Sequence, residues 1–234
     1  MRALTLLSTL LLLAVFFVPL VATSSDTQSP EQTAAKIQST YSGIDSLSFT
    51  FSQTTSGQMS GRPKVGKGTG FFAKTDDQTL MRWNYLSPEY QVVISDGKTV
   101  SMYFKKLNQM IVSSVDKIRT DILFSFFTGA EPLDNHFIIL APELEMDIES
   151  VETVNNLHSV QLQPKDRDSQ VRTIHLWVNN EAIIRRIELL DYFDTKTTIN
   201  LSNIEINPID LANQAEIDER FSFVPPEGTE IIRQ

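Results

Sequence analysis

The alternation of apolar and polar residues predicts that most of this chain forms β-strands. The pattern is clearest in three consecutive runs, residues 79–86, 90–95 and 99–104. The Asp96-Gly97 pair between the last two runs predicts a hairpin, because a tight turn of this kind needs positive φ at both positions. With Asp96 and Gly97 as the turn, we expect Val93 to lie opposite Val100 on one face of the sheet.

Residues on either side of this hairpin continue the pattern. A helix is predicted near the N-terminus, because Ser29 can cap it, Pro30 suits the first helical position, Gln32 completes a capping box and Gly43 marks an end. Glycines in the strand at 64–74 are interpreted as sites of bending or bulging rather than a phosphate loop. Further strands are predicted at 47–51, 110–115, 137–140, 143–151, 157–164, 171–178, 183–192 and 197–206, with a helical turn at 208–212 and a last strand and Pro-stiffened turn within 221–228. This regular spacing predicts an antiparallel meander or open barrel.

The N-terminal stretch has the features of a secretory signal peptide. Arg2 precedes an apolar run from residue 6 to residue 20, and small and polar residues follow. We expect residues 1–24 to be a cleaved signal and residues 25–234 to form one exported domain, with a retained anchor as the alternative. The chain has no cysteine, so neither disulfides nor lipid attached to a cysteine at the cleavage site are expected.

Charge and motifs argue against several classes of function. The formal net charge of −9 argues against nucleic acid and against anionic membrane surfaces as partners. His136, His158 and His175 lie in separate segments without metal-binding spacing, and no G-x-S-x-G motif is present. The alternating acids at residues 143–149 are typical of an exposed edge strand more than of a glycosidase pair. We therefore predict no enzyme, no metal site and no cofactor.

Large apolar side chains are in surplus on one face of the predicted sheet. Two interpretations are open: an ordinary sheet core covered by helices, or a cavity for an acyl chain. In the second interpretation the cavity is lined by Phe49, Phe51, Phe72, Met81, Trp83, Val93, Val100 and Met102. A lid over it is predicted at residues 121–128, a short helix that is apolar on nearly all sides and presents Leu123, Phe126 and Phe127.

Several motifs, in order along the chain, resemble those of the LolA-type outer-membrane lipoprotein carriers. They are S-F-x-F-x-Q at 48–53, G-x-G-x-F at 68–72, R-W-x-Y at 82–85 followed by Pro88, V-x-S-D-G-K at 93–98, L-x-P at 162–164 and F-x-F-x-P-P-x-G at 221–228. No single motif is decisive, but their order and spacing extend the resemblance over nearly the whole chain after residue 24.

The resemblance implies a mainly β (α+β) fold, an incomplete antiparallel β-barrel with helices forming a lid over a hydrophobic cavity. It also implies a monomeric periplasmic carrier that takes acylated lipoproteins from an inner-membrane ABC-type release complex to an outer-membrane lipoprotein acceptor. A carrier of another lipid or glycolipid, and an enzyme or accessory subunit with a hydrophobic substrate, remain as alternatives.

One departure from the family pattern concerns the latch of the lid. Many members of the family have an Arg-Pro or Lys-Pro pair before the R-W strand, whereas this chain reads A-K-T-D-D at 73–77. Arg82 and Lys74 are the basic residues nearest to that place, and both are candidates for the latch.

Overall fold

The computed structural model describes residues 28–57, 61–76, 78–114, 132–142, 157–167 and 169–234. The helices are α1 (Pro30–Ser42), α2 (Leu133–His136) and α3 (Gln214–Phe221). The strands are β1 (Ser46–Ser56), β2 (Lys64–Lys74), β3 (Thr79–Ser87), β4 (Gln91–Ser95), β5 (Thr99–Phe104), β6 (Gln109–Ser114), β7 (Phe137–Leu140), β8 (His158–Pro164), β9 (Val171–Val178), β10 (Ile184–Asp191), β11 (Lys196–Ile206) and β12 (Glu230–Arg233).

The described strands form one open sheet in the order β12-β6-β5-β4-β3-β2-β1-β11-β10-β9-β8-β7. All neighbours are antiparallel except β12, which runs parallel to β6. Strand β1 lies in the interior of this order and joins the meander β2–β6 to the strands β7–β11. The predicted mainly β, incompletely closed antiparallel architecture is thus confirmed.

Helix α1 covers part of one face, here called the α1-side face. It packs against β7 and β8, and its apolar side chains join a continuous buried cluster with β1, β2, β3 and β8–β11. Tyr41 is buried at the end of the helix, where its hydroxyl oxygen accepts the backbone N–H of Ile184 (3.1 Å). Burial raises the pKa of Tyr41, while the hydrogen bond from Ile184 opposes the shift. The phenol is therefore a neutral structural contact that fixes α1 to β10.

The predicted start and end of α1 are confirmed. Ser29 Oγ accepts the N–H of Gln32 (3.2 Å), and Gln32 Oε1 accepts the N–H of Ser29 (2.9 Å), which completes the capping box. Gly43 follows the last helical residue. These bonds satisfy N–H groups that have no partner inside the helix, which is why this sequence begins a helix at Pro30.

The opposite face, here called the α3-side face, carries two smaller apolar clusters. In the first, Ile217 of α3 packs with Ala73, Leu80 and Ile209. In the second, Val92, Tyr103 and Met110 are buried together with partly buried neighbours that include Phe223. The chain after α3 therefore crosses this face before it adds β12 beside β6.

The β4–β5 hairpin has a different register from the predicted one. Val93 lies opposite Met102, and Ser95 lies opposite Val100, a shift of two residues. The turn consists of Gly97 and Lys98, of which only Gly97 has positive φ (82°). Asp96 displaces the turn, because its carboxylate accepts the N–H groups of Lys98 (2.9 Å) and Thr99 (2.7 Å). A shift of two residues keeps every side chain on its predicted face.

The C-terminal region also differs from the prediction. Helix α3 follows the region of the predicted helical turn and was not expected, and residues 222–226 form no strand. Strand β12 follows the Pro-stiffened turn instead of preceding it. The helix gave no apolar stripe in the sequence because only Ile217 is buried in it. The predicted strand at 143–151 and the predicted lid helix at 121–128 lie outside the described residues.

The Asp96 turn generates a prediction about pH. Partial burial raises the pKa of Asp96, but the hydrogen bonds from Thr99 and Lys98 outweigh it and hold the pKa below its usual value. A carboxylate with a lowered folded-state pKa stabilises the fold above its unfolded pKa, and this contribution disappears as pH falls through the folded pKa. We expect Asp96→Ala to lower the free energy of unfolding by about 0.5–1 kcal/mol at neutral pH.

Urea denaturation of both chains at neutral pH and at about pH 3 measures this difference, which should shrink in acid. The control is Glu227→Ala, which removes an exposed carboxylate from the tail. An Asp96→Ala deficit that is the same at both pH values would contradict the role assigned to the carboxylate.

Candidate functional site

The α1-side face contains all eight residues that were predicted to line a cavity. Five of them belong to the main buried cluster and are 5% exposed or less: Phe49, Phe51, Phe72, Met81 and Trp83. Val100 is 4% exposed, and Val93 and Met102 are partly buried. The strand registers bring the eight together across five adjacent strands, β1 to β5. Their assignment to an acyl-chain site stays a prediction.

Two glycines of β2 open a gap in the middle of this face. Gly70 lies between Phe49 of β1 and Trp83 of β3, and Gly68 is paired with Phe51 on one side and Tyr85 on the other. A Cβ atom at Gly70 would lie 2.2 Å from Phe49 Cε2. A Cβ atom at Gly68 would lie 1.8 Å from the carbonyl oxygen of Asn84. The absence of both side chains lets rings from two strands that are not neighbours meet above β2.

Four aromatic rings fill this gap, and the term "ring cluster" is used below for Phe49, Phe51, Trp83 and Tyr85. Trp83 makes edge contacts with Phe49 and Phe51, with ring centroids 5.1 and 4.7 Å apart. Phe51 makes a third edge contact with Tyr85 at 4.9 Å. Each such contact contributes about 0.5–1.5 kcal/mol beyond the burial of its surface.

The polar end of the ring cluster is satisfied within the sheet. The hydroxyl of Tyr85 donates to Oε1 of Gln53 (2.9 Å), so this polar group has a partner on β1. Sequence reasoning missed Tyr85 and Gln53 as members of this site. A signal for Tyr85 was present, because G-x-G in one strand stands beside F-x-F and W-x-Y in its two partners.

The two candidate latch residues lie on opposite faces. Lys74 lies at the end of α1, where its ammonium donates to the carbonyl oxygen of Tyr41 (2.7 Å). Burial lowers the pKa of Lys74, and Asp45 opposes this shift. A cation at this position also interacts favourably with the partial negative charge of the helix C-terminus. Lys74 therefore ties α1 to β2.

Arg82 faces the other way from its neighbour Trp83. Its guanidinium donates to the carbonyl oxygens of Arg220 (3.0 Å) and Ser222 (2.9 Å) and to Oδ1 of Asn84 (2.8 Å). These contacts hold the C-terminal end of α3. The predicted lid residues Leu123, Phe126 and Phe127 lie outside the described residues, so the latch itself stays a prediction.

A separate cleft of about 300 Å³ lies on the α3-side face. It is lined by Tyr90, Tyr103, Lys105, Phe223, Val224 and Pro226. Within the described ranges, no group of three or more acidic or His side chains is placed to hold a metal ion. No helix in that part of the chain combines the length and apolar character needed to cross a membrane.

The fold and the site together define a protein with an open sheet and one dense apolar face. Residues 42–215 match the family described as outer membrane lipoprotein carrier protein LolA. The chain belongs to this family, and the resemblance inferred from its motifs is confirmed. The family is one of carriers rather than enzymes.

Individual relatives are distant but consistent with this assignment. The chain is 28% identical over 152 residues to an outer-membrane lipoprotein carrier protein of Nitrosomonas europaea, covering 65% of this chain and 66% of that one. It is 26% identical over 212 residues to the protein of the same name from Cupriavidus necator, covering 88% and 92%.

Solved structures support the fold alone. An uncharacterised conserved protein of Thermus thermophilus superposes with a TM-score of 0.52 at 11% identity, covering 88% of this chain and all of that one. The crystal structure of MucB gives a TM-score of 0.50 at 11% identity, covering 87% and 65%.

The glycine gap generates a prediction about stability. We expect Gly70→Ala to destabilise the protein by about 1–3 kcal/mol, because the new methyl group must displace Phe49 and separate it from Trp83. Urea denaturation measures the loss, and a change in tryptophan fluorescence reports the displaced ring. Gly43→Ala is the matched control, since its Cβ would meet no atom closer than 3.7 Å and its φ is −90°. Equal stability of Gly70→Ala and the control would rule out a tight ring contact at this glycine.

Proposed function

We propose that this protein is a periplasmic carrier that shelters the acyl chains of lipoproteins against its α1-side face. The observation that carries the proposal is the ring cluster and the apolar side chains beside it, which lie on one face of five adjacent strands. The rings share a buried cluster with Phe72 and Met81, and Val93 packs against it. Val100 and Met102 lie on the same face of the neighbouring strand. Aromatic rings and methionine adapt to chains of varied shape. Membership of the carrier family supports the same function.

Burial energetics explain why such a face is closed when empty. Sheltering an acyl chain contributes about 0.8 kcal/mol per methylene, so full burial of several chains would prevent their release. The cluster residues are buried against one another and against the side chains that share their cluster. A ligand must compete with these contacts, and this competition lowers its net affinity to a level that permits transfer.

The proposed route runs from an inner-membrane ABC-type release complex to an outer-membrane acceptor. In this proposal residues 1–24 are a signal peptide, and residues 25–234 act as a monomeric carrier domain. The absence of cysteine fits a carrier that holds no lipid of its own. Leu123, Phe126 and Phe127 supply the lid, and the contact of Lys74 with α1 makes it the better placed of the two candidate latch residues.

The cargo identifies the function most directly. Mass spectrometry of the protein recovered from a periplasmic extract is expected to find acylated lipoprotein bound to it. A free lipid or glycolipid in that place would refute lipoprotein transport and leave the carrier fold with a different cargo.

Replacement of Trp83 tests the face itself. We expect Trp83→Leu to lower binding of a triacylated peptide by about tenfold or more, because the ring cluster loses its central member. Trp177→Leu is the matched control, since Trp177 lies on the α3-side face with Arg186 stacked 4.9 Å from its ring. Circular dichroism verifies that both variants fold. Equal binding by the two folded variants would contradict the proposed location of the site.

Replacement of Lys74 tests the latch. We expect Lys74→Met to speed hydrogen exchange at the last turn of α1 and to change the rate of lipoprotein transfer, since its bond to Tyr41 is lost. Arg82→Met is expected to act on α3 instead and to leave transfer unchanged. Faster exchange in α1 together with unaltered transfer would leave Lys74 a structural residue only.

A further inference from the structure

Four turns of the sheet lie at one end of its strands, and they are called the hairpin rim below. The rim consists of residues 61–67, 86–90, 105–108 and 191–196. The registers place them together, because Lys64 pairs with Thr55, Lys67 with Ser87, and Lys196 with Ser56. Gln91 pairs with Phe104, which brings the turn after β5 to the same end.

Exposed apolar side chains concentrate on this rim. Among the described residues, nine large hydrophobic side chains are exposed, and five of them lie on the rim. The five are Val65 (47% exposed), Leu86 (61%), Leu107 (61%), Tyr192 (57%) and Phe193 (80%). The described turn segments at the opposite end of the strands, 43–46, 75–76, 78, 96–99, 179–183 and 207–213, contain none, with Ile206 as the nearest.

The rim is also basic, although the whole chain is acidic. The four turns carry six basic and three acidic side chains, a formal charge of +3, whereas the opposite segments carry one basic and five acidic, a charge of −4. Other described segments at the same end, 133–136, 165–167 and 227–230, add two basic and four acidic side chains, which gives that end as a whole a formal charge of +1. Two of the rim acids are paired, Glu89 with Lys106 (2.6 Å) and Asp194 with Arg172 (2.9 Å). Within the described ranges, Arg62, Lys64, Lys67 and Lys105 have no carboxylate partner.

Among the described residues, the most exposed neighbouring aromatic side chains are Tyr192 and Phe193, which lie in a turn held by side-chain hydrogen bonds. Oδ1 of Asp191 accepts the N–H groups of Phe193 (2.8 Å) and Thr195 (2.7 Å), and Asp194 adopts positive φ (56°). These bonds fix the backbone while Tyr192 and Phe193 extend into solvent. A rigid turn that holds two exposed aromatic side chains loses little conformational freedom when they bind a partner.

We propose that the hairpin rim docks reversibly on the surface of an anionic lipid bilayer. Aromatic side chains beside lysine and arginine are typical of protein segments that lie at the membrane interface. The four turns of the rim lie at the same end of the strands, so more than one of them can contact the bilayer surface. The docking does not depend on the cargo proposed above, because it uses residues outside the ring cluster.

Screening by salt allows the basic rim to bind an anionic bilayer although the chain as a whole is acidic. The eleven residues of β2 separate the two ends by about 35 Å, at about 3.3 Å per residue. Electrostatic interactions are screened over about 8–10 Å at physiological salt. The lipid surface therefore attracts the rim, while repulsion of the acidic end is largely screened.

Sedimentation with vesicles tests the proposal. We expect the protein to sediment with phosphatidylcholine vesicles that contain about 40% phosphatidylglycerol, and several-fold less at about 300 mM salt than at about 20 mM. It should remain in solution with pure phosphatidylcholine vesicles. Protein that stays in the supernatant with the anionic vesicles, or binds both kinds equally, overturns the proposal.

Matched variants localise the contact. The double change Tyr192→Ser and Phe193→Ser is expected to reduce vesicle binding about tenfold, since two apolar side chains no longer enter the interface. Lys64→Glu with Lys105→Glu should reduce it as much and remove most of the salt dependence. Ile206→Ser, which alters an apolar residue that is 50% exposed and lies away from the rim, should leave binding unchanged.

The N-terminal stretch is common to all these chains, so differences between variants report the rim alone. A loss of binding in Ile206→Ser equal to that in the rim variants contradicts the assignment. Retained cargo binding in rim variants that no longer sediment is the expected result. Because vesicle binding and cargo binding are measured separately, failure of the membrane proposal can be distinguished from failure of the proposed carrier function.

Discussion

The contact of aromatic rings across Gly68 and Gly70 is the constraint on which the apolar face depends. A side chain at either position would stand between β1 and β3, and the rings of Phe49, Phe51 and Trp83 could not meet. Without that contact the aromatic side chains of β1 and of β3 would be separated by β2. With it, the face becomes one continuous apolar surface that joins the side chains of α1 in a single buried cluster.

Only the α1-side face has the proposed binding role, although both faces contribute to the structural support of the sheet. Neighbouring residues of β3 show this difference, because Trp83 belongs to the ring cluster while Arg82 holds the end of α3 behind it. The α3-side contacts thus brace the strands from the back and leave the other face to apolar side chains. This arrangement suits a protein that needs an apolar binding surface and also needs polar contacts to hold its strands in place.

Strand positions and faces were largely predictable from the sequence, because alternation and turn residues are local signals. The capping box of α1 was predictable for the same reason. The register of β4 and β5 was not, because it depends on which backbone groups the Asp96 carboxylate accepts. Helix α3 was missed because it buries only Ile217. The meeting of rings across β2 requires the pairing of three strands, so no single segment reveals it.

The pairing of β1 with β11 has a consequence for how the chain reaches its final form. Ser48 bonds to Glu205, 157 residues further along, and this ladder unites the two halves of the sheet. Strands β1 to β6 can assemble from near neighbours soon after they emerge, but the outer edge of β1 has to wait for nearly the whole polypeptide. Contacts of such long sequence separation form slowly. During that interval an unpaired strand edge is open to association with other chains.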